Sequence, residues 1–416
     1  MTFRAIFGQV KNHKRLVENF SYISLLQLFL ILSPLITYPY LIRVLGQELY
    51  GWVITAQVLV SYAVIIINFG TDSVCAKHVA VNRNDREILS EIVCSVLFAR
   101  LLLWLLCLLL LVAIIFIVPS YRSHMWLFLL TFGQTSDILL FPQYFFQGVE
   151  KMKYSSLINI SVKLFFVCLV FVFVKRPSDY LFIPLLYSIG HLLAGVVSIL
   201  ILKKEFKIDF YVPSWSKVRY YLKDSSPLFI TDIICTIKDK LNYFILGGVN
   251  MGDVVVYDLG TKMTAMLSKP GSIIATVFFP QIAYSKDKQK YKKILLLVLL
   301  STSICVAIVN IFMAPIVEFM LHKQIDLLPL RLFSLAPLFL SVSSYIYSNC
   351  YVAFGHSKFA LYSIVVTTAG YLTLLCIMSV TNNMRTIFNF VILAVASYLI
   401  ELIYRIISSI SILKEK

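Results

Sequence analysis

Residues 101–118 read Leu101-Leu102-Leu103-Trp104-Leu105-Leu106-Cys107-Leu108-Leu109-Leu110-Leu111-Val112-Ala113-Ile114-Ile115-Phe116-Ile117-Val118, eighteen positions without one charged side chain, directly after Arg100. A helix of that character can cross the hydrocarbon core of a bilayer, which takes about 20 apolar residues. Within lipid every backbone polar group must be satisfied internally, so such runs are read as helices. Working outward from this stretch, comparable runs fall near 19–43, 50–70, 91–118, 126–148, 154–174, 180–202, 225–247, 253–283, 292–317, 327–354, 358–378 and 386–413. The expected fold is therefore an all-α polytopic membrane protein with about 12 transmembrane helices. Composition agrees, because 59% hydrophobic and 14% charged residues, with a mean hydropathy of +0.85, depart from the about 25% charge of soluble domains.

The segment Met1 to Glu18 is polar and basic, and the first apolar run ends in Arg43-Val44-Leu45-Gly46 without a small-x-small cleavage pattern. It is expected to be a retained first span, not a removable signal peptide. Alternating from a cytoplasmic N-terminus places 23 basic residues inside, including Lys203, Lys204, Lys207, Lys217, Arg219 and Lys223, and later Lys286, Lys288, Lys290, Lys292 and Lys293. Six fall outside: Arg43, Arg122, Lys175, Arg176, Lys323 and Arg385. That bias sets orientation, with both termini cytoplasmic. The net charge of +16 is then topogenic charge facing anionic lipid, and no nucleic-acid partner is expected.

The longest polar connection, 203–224, divides the chain into expected bundles of six spans, 1–202 and 225–416. Val44-Leu45-Gly46-Gln47-Glu48-Leu49-Tyr50-Gly51 closes span one, and Ile245-Leu246-Gly247-Gly248-Val249-Asn250-Met251-Gly252 closes span seven with the same Leu-Gly…Gly spacing. Gly148 and Lys151 after span four are echoed by Gly355 and Lys358 after span ten. Six is even, so the halves would enter the membrane in the same sense, as parallel repeats. The eight cysteines are scattered singly, so neither a disulfide nor a metal site is expected. External loops are short and carry no nucleotide-binding or zinc-protease pattern, which leaves no place for a catalytic domain and no cofactor. Two equal bundles around a central cleft instead suit an alternating-access transporter.

Ionisable residues inside spans are costly and normally face a bundle interior or a water-filled cavity. The sequence places Arg100, Asp137, Lys163 and His191 in spans three to six. Spans seven and eight are richest, with Asp232, Lys238, Asp239, Lys240, Asp258, Lys262 and Lys269. Asp258, Lys262 and Lys269 share one helical face, and the first two are spaced as an i,i+4 pair. Lys269 precedes Pro270, whose missing N–H loosens the helix. Lys238 and Lys240 diverge by about 200° around a helix, so one should face the interior and the other pair or snorkel. Glu401 and Arg405 should satisfy each other, and Lys163 could pair with Asp137. Pro34 and Pro39 should kink span one, with Arg43 one turn beyond as a candidate phosphate grip or an interfacial anchor.

The run Pro34-Leu35-Ile36-Thr37-Tyr38-Pro39-Tyr40-Leu41-Ile42-Arg43-Val44-Leu45-Gly46, followed by Tyr50-Gly51, resembles the polysaccharide-biosynthesis flippases. These are the Wzx-type O-antigen and capsule repeat-unit transporters of the multidrug/oligosaccharidyl-lipid/polysaccharide exporter superfamily. Asn68-Phe69-Gly70, Asn82-Arg83-Asn84-Asp85, Tyr144-Phe145-Phe146-Gln147-Gly148-Val149-Glu150-Lys151-Met152 and Phe279-Pro280-Gln281-Ile282 carry the likeness along the chain. Lys77, where many members carry arginine, and the Lys238-Asp239-Lys240 cluster depart from it. The resemblance implies two six-helix bundles around a central cationic cavity lined by spans one, two, seven and eight. It implies translocation of an undecaprenyl-diphosphate-linked oligosaccharide across the bacterial inner membrane, among membrane lipids and other polysaccharide-assembly membrane proteins.

On this reading Arg43, Lys238, Lys240, Lys262 and Lys269 supply positive potential for the diphosphate, and Asp72, Asp137 and Asp258 are candidates for ion coupling. A drug exporter of the same superfamily would prefer an acidic cavity. A membrane-bound polymerase or lipid-sugar transferase would need a substantial extramembrane loop.

Overall fold

The computed structural model describes the backbone of residues 3–356 and 358–414, and their side chains except those of 3–21, 23, 24, 27, 28, 30–32 and 280. The side chains of Arg4, Lys11, Lys14, Arg15 and Lys416, counted above as cytoplasmic, lie outside the described residues. All regular structure among the described residues is helical. Nine stretches there are long and apolar enough to cross a membrane, and the first, Ser33–Val81, takes up two of the twelve sequence runs. The runs near 225–247 and 253–283 form the helices Trp215–Val249, Met251–Leu267 and Lys269–Ser285 but are not among the nine. Their intramembrane charges dilute the apolar windows.

The chain separates into two compact units. One comprises Met1–Leu45 with Ala56–Ile233, and the other Gly46–Thr55 with Ile234–Lys416.

In the first unit, helical dihedrals run through Pro34 and Pro39, and the interruption expected there falls instead at Gly46 (φ 79°, ψ 165°), where the chain leaves that unit. Proline fixes a φ compatible with a helix, whereas this left-handed conformation needs glycine. A second break falls at Phe69-Gly70, where Gly70 (φ 71°) approaches so closely that a Cβ would lie 2.8 Å from the Ser225 carbonyl oxygen. The run near 126–148 was expected as one span and is built from pieces: Met125–Phe132, a 3-10 turn at Gly133–Thr135, Ser136–Leu140, and Gln143–Gly148 after Pro142. Proline cannot donate to the preceding turn, so the helix stops at Leu140 and restarts beyond it. Val79, Ile92, Val93, Phe145 and Phe146 form the core against which these pieces pack.

The polar connection after Lys204 is docked onto this unit. Arg86 Nη2 donates to both Asp209 carboxylate oxygens at 2.9 Å, Lys217 reaches Glu91 at 3.0 Å, and His78 meets Asp224 at 2.7 Å. Asp85 caps the Arg86–Ile117 helix by accepting from the Glu87 and Ile88 amides at 3.1 Å.

In the second unit, Tyr291, Val298, Tyr345, Ile346, Cys350 and Tyr351 form the core. The run near 253–283 divides at Ser268, immediately before Lys269-Pro270, and the run near 327–354 ends in a π-helical turn, Tyr347–Val352. The repeated Leu-Gly…Gly motifs meet here: Gly51 lies so close to Met251 that a Cβ would collide with the Met251 carbonyl oxygen, and Thr55 Oγ1 lies 3.4 Å from Met251 Sδ. The motifs differ in detail. The first turns at Gly46, whereas the second stays helical through Gly247 and turns at Asn250, whose side chain accepts from Gly252 N at 3.0 Å. Among the cysteines, Cys75, Cys94, Cys107 and Cys350 are buried, while Cys168 and Cys376 are exposed.

Candidate functional site

Each unit holds a cluster of intramembrane charges. In the first, Arg100 is the hub. Its guanidinium, 1% exposed, donates to Asp72 Oδ1 at 2.8 Å, Asn68 Oδ1 at 2.9 Å, Thr71 Oγ1 at 2.7 Å and the Ile138 carbonyl at 2.8 Å. It therefore bridges two interruptions: the turn between Asn68 and Thr71, and the broken fourth span that leaves the Ile138 carbonyl available. The fork of five donors explains why arginine and not lysine stands there. Asp72 is thus held by a permanent cation.

Asp137 does not pair with Lys163 as the sequence suggested. It faces His191, whose Nδ1 is 3.4 Å away, a charge proximity without hydrogen-bond geometry. Lys163 Nζ instead sits 5.2 Å above the Tyr187 ring, which stacks in turn on Phe166. Helix rotation turns the two side chains apart, and an aromatic face takes the place of the carboxylate beside Lys163. Arg43 is exposed, and it makes no ion pair among the described residues.

In the second unit the expected i,i+4 pair of Glu401 and Arg405 forms at 2.8 Å, and Lys238 joins it from the Trp215–Val249 helix at 3.5 Å. Lys238 also lies 3.4 Å from Asp239 and 5.1 Å from the Tyr398 ring. These groups line a cavity of about 400 Å³ together with Tyr347, Thr367 and Thr368. Lys238 is consequently the buried lysine of the 238–240 cluster, inside the second unit and shared between carboxylates. Lys240 lies 5.4 Å from the Tyr243 ring.

Asp258 is buried, paired with Lys262 one turn on, and accepts from the Tyr243 hydroxyl at 3.1 Å. The neutralising reading of that i,i+4 spacing is the one the structure adopts. Lys269 is half-buried at the first turn of the Lys269–Ser285 helix.

Sequence reasoning overlooked Arg100 as an organiser and Lys238 as the partner of Glu401. The signal for Arg100 was available, because it is the one charge at the head of the most apolar run. Nothing local pointed to Lys238, which stands 163 positions from Glu401.

Comparison with known proteins places these features. The chain matches the family described as "Polysaccharide biosynthesis protein" over residues 16–286. It is 26% identical over 291 residues to an Escherichia coli (strain K12) protein named "Putative O-antigen transporter", covering 69% of each chain. Among solved structures it is similar to the lipid II flippase MurJ in an inward closed conformation, with a TM-score of 0.64 and 15% identity over 92% of this chain and 87% of that one. It is likewise similar to the Vibrio cholerae MATE transporter VcmN, with a TM-score of 0.59 and 14% identity over 96% and 97% of the two chains. The fold is the one these flippases and transporters share. With its multi-pass helical architecture and a family match spanning well over half its length, the chain belongs to the polysaccharide biosynthesis protein family.

Proposed function

We propose that this protein is a flippase that moves an undecaprenyl-diphosphate-linked oligosaccharide, an O-antigen or capsule repeat unit, from the cytoplasmic to the outer leaflet of the bacterial inner membrane by alternating access. Family membership, the O-antigen transporter relative and the flippase fold support the reading. The observation that carries it is Arg43, a guanidinium left exposed at the end of the first span, three residues before the Gly46 break. A guanidinium forks onto phosphate oxygens and stays charged throughout the pH range of a cell. Lys240, Lys262 and Lys269 add positive charge on spans seven and eight, while Lys238 is assigned mainly to holding Glu401.

No covalent step is involved. For ion coupling we favour Asp137 over Asp72 and Asp258, because its partner is an imidazole and theirs are an arginine and a lysine. The termini are assigned to the cytoplasm from the distribution of basic residues. Other membrane proteins of polysaccharide assembly would take the cargo onward.

The test is leaflet-resolved accumulation of lipid-linked repeat units in cells lacking the gene. Inner-leaflet accumulation relieved by the wild type and not by Arg43→Ala, at equal expression, is the expected result. An unchanged distribution in the deletion would overturn the proposal.

A further inference from the structure

We infer that the outer end of the second unit carries a chamber that receives the glycan head of the cargo and selects sugars without carboxylates. The inference rests on the proposed flippase reading and orientation.

A cavity of about 930 Å³ opens there, near the upper end of the roughly 300–1,000 Å³ that ligand clefts enclose. Its walls come from four separate segments, at Gln47-Glu48, Asn250–Asp253, Lys323–Asp326 and Thr386. The charge-derived topology places all four outside. The close packing of Gly51 on Met251 fixes the first two segments against each other, so the wall is built and not a chance gap between loops. Two lining side chains hold the loops themselves: Asn250 Oδ1 accepts from Gly252 N, and Asp326 Oδ1 from Leu328 N, each at 3.0 Å. Gln47, Glu48, Asp253 and Lys323 bring further donors and acceptors to the cavity.

Gln47 belongs to the wall itself, with its amide nitrogen enclosed within the protein and closed to solvent.

The lining charges decide the ligand class. Glu48, Asp253 and Asp326 face a single cation, Lys323, so a uronic or sialic acid would meet like charge. The carboxylates do not gather on one point either: no three acidic, histidine or cysteine side chains among the described residues are placed to hold a metal ion. Dispersed acceptors with interspersed amide donors suit an extended polyol, neutral or bearing amines.

The experiment uses the full chain in lipid nanodiscs and three soluble probes: chitotriose, its fully N-deacetylated form, and trigalacturonic acid, titrated by isothermal calorimetry. The neutral and amine-bearing trimers should bind saturably, and the acid about tenfold or more weakly. The double variant Glu48→Gln/Asp253→Asn, checked for unchanged melting, should erase most of that preference. Equal binding of the acidic trimer, no saturable binding of any trimer, or calcium bound in their place would overturn the inference on wild-type protein alone. None of these results depends on the leaflet assay, so a failed chamber and a failed flippase reading are distinguishable.

Discussion

Replacing Arg100 with methionine should destabilise the first unit more than any other single change at its intramembrane charges. The substitution keeps much of the side-chain volume and removes the guanidinium, leaving Asp72, whose side chain is 26% exposed, without its cation. It also strips donors from Asn68, Thr71 and the Ile138 carbonyl. Breaking a buried pair by deleting one partner costs about 3–5 kcal/mol, and the partial exposure of Asp72 argues for the lower end. A loss of about 3 kcal/mol corresponds to roughly 6–12 °C at about 2–4 °C per kcal/mol. The assay is thermal unfolding in detergent, followed by intrinsic fluorescence and by recovery of monodisperse protein. Adding Asp72→Asn to Arg100→Met removes the stranded charge and should recover a measurable part of the loss, a coupling of about 0.5–3 kcal/mol. A shift below about 2 °C, or a double variant no better than the single, would refute the hub assignment.

In the second unit, Glu401→Gln should cost more than Lys238→Met, since it leaves both Lys238 and Arg405 short of a carboxylate, and melting of the two variants reads the order directly. Gly51→Val should reduce stability by more than about 2 kcal/mol, because the added side chain drives into the Met251 backbone; Gly248→Ala, which faces open space, serves as the control and should melt like wild type. Arg43→Ala should leave the melting temperature within about 1 °C while lowering transport, the signature of an exposed side chain kept for its ligand.

The apolar runs were legible because bilayer thickness imposes a length that shows in sequence without knowledge of contacts. Pairs one helical turn apart were legible for a similar reason, as Glu401 with Arg405 and Asp258 with Lys262 demonstrate. Breaks were only half legible. The motif that closes span one contains the break at Gly46, whereas Pro34 and Pro39, the residues expected to kink that span, keep helical dihedrals. Partners between spans were not legible, because helix rotation decides them. Asp137 and Lys163 stand in neighbouring spans, yet packing turns Asp137 toward His191 and Lys163 over Tyr187. Lys238 and Lys240 differ by two positions, and only the surrounding helices determine that Lys238 meets Glu401.

The most direct measurement is translocation by purified protein in liposomes loaded with a polyprenyl-diphosphate-linked glycan, reading the fraction that becomes accessible to an external glycan-modifying enzyme. The account predicts protein-dependent exposure above empty liposomes for wild type, and exposure near background for Arg43→Ala at equal reconstitution. Wild-type liposomes indistinguishable from empty ones, or an Arg43→Ala variant as fast as wild type, would contradict it.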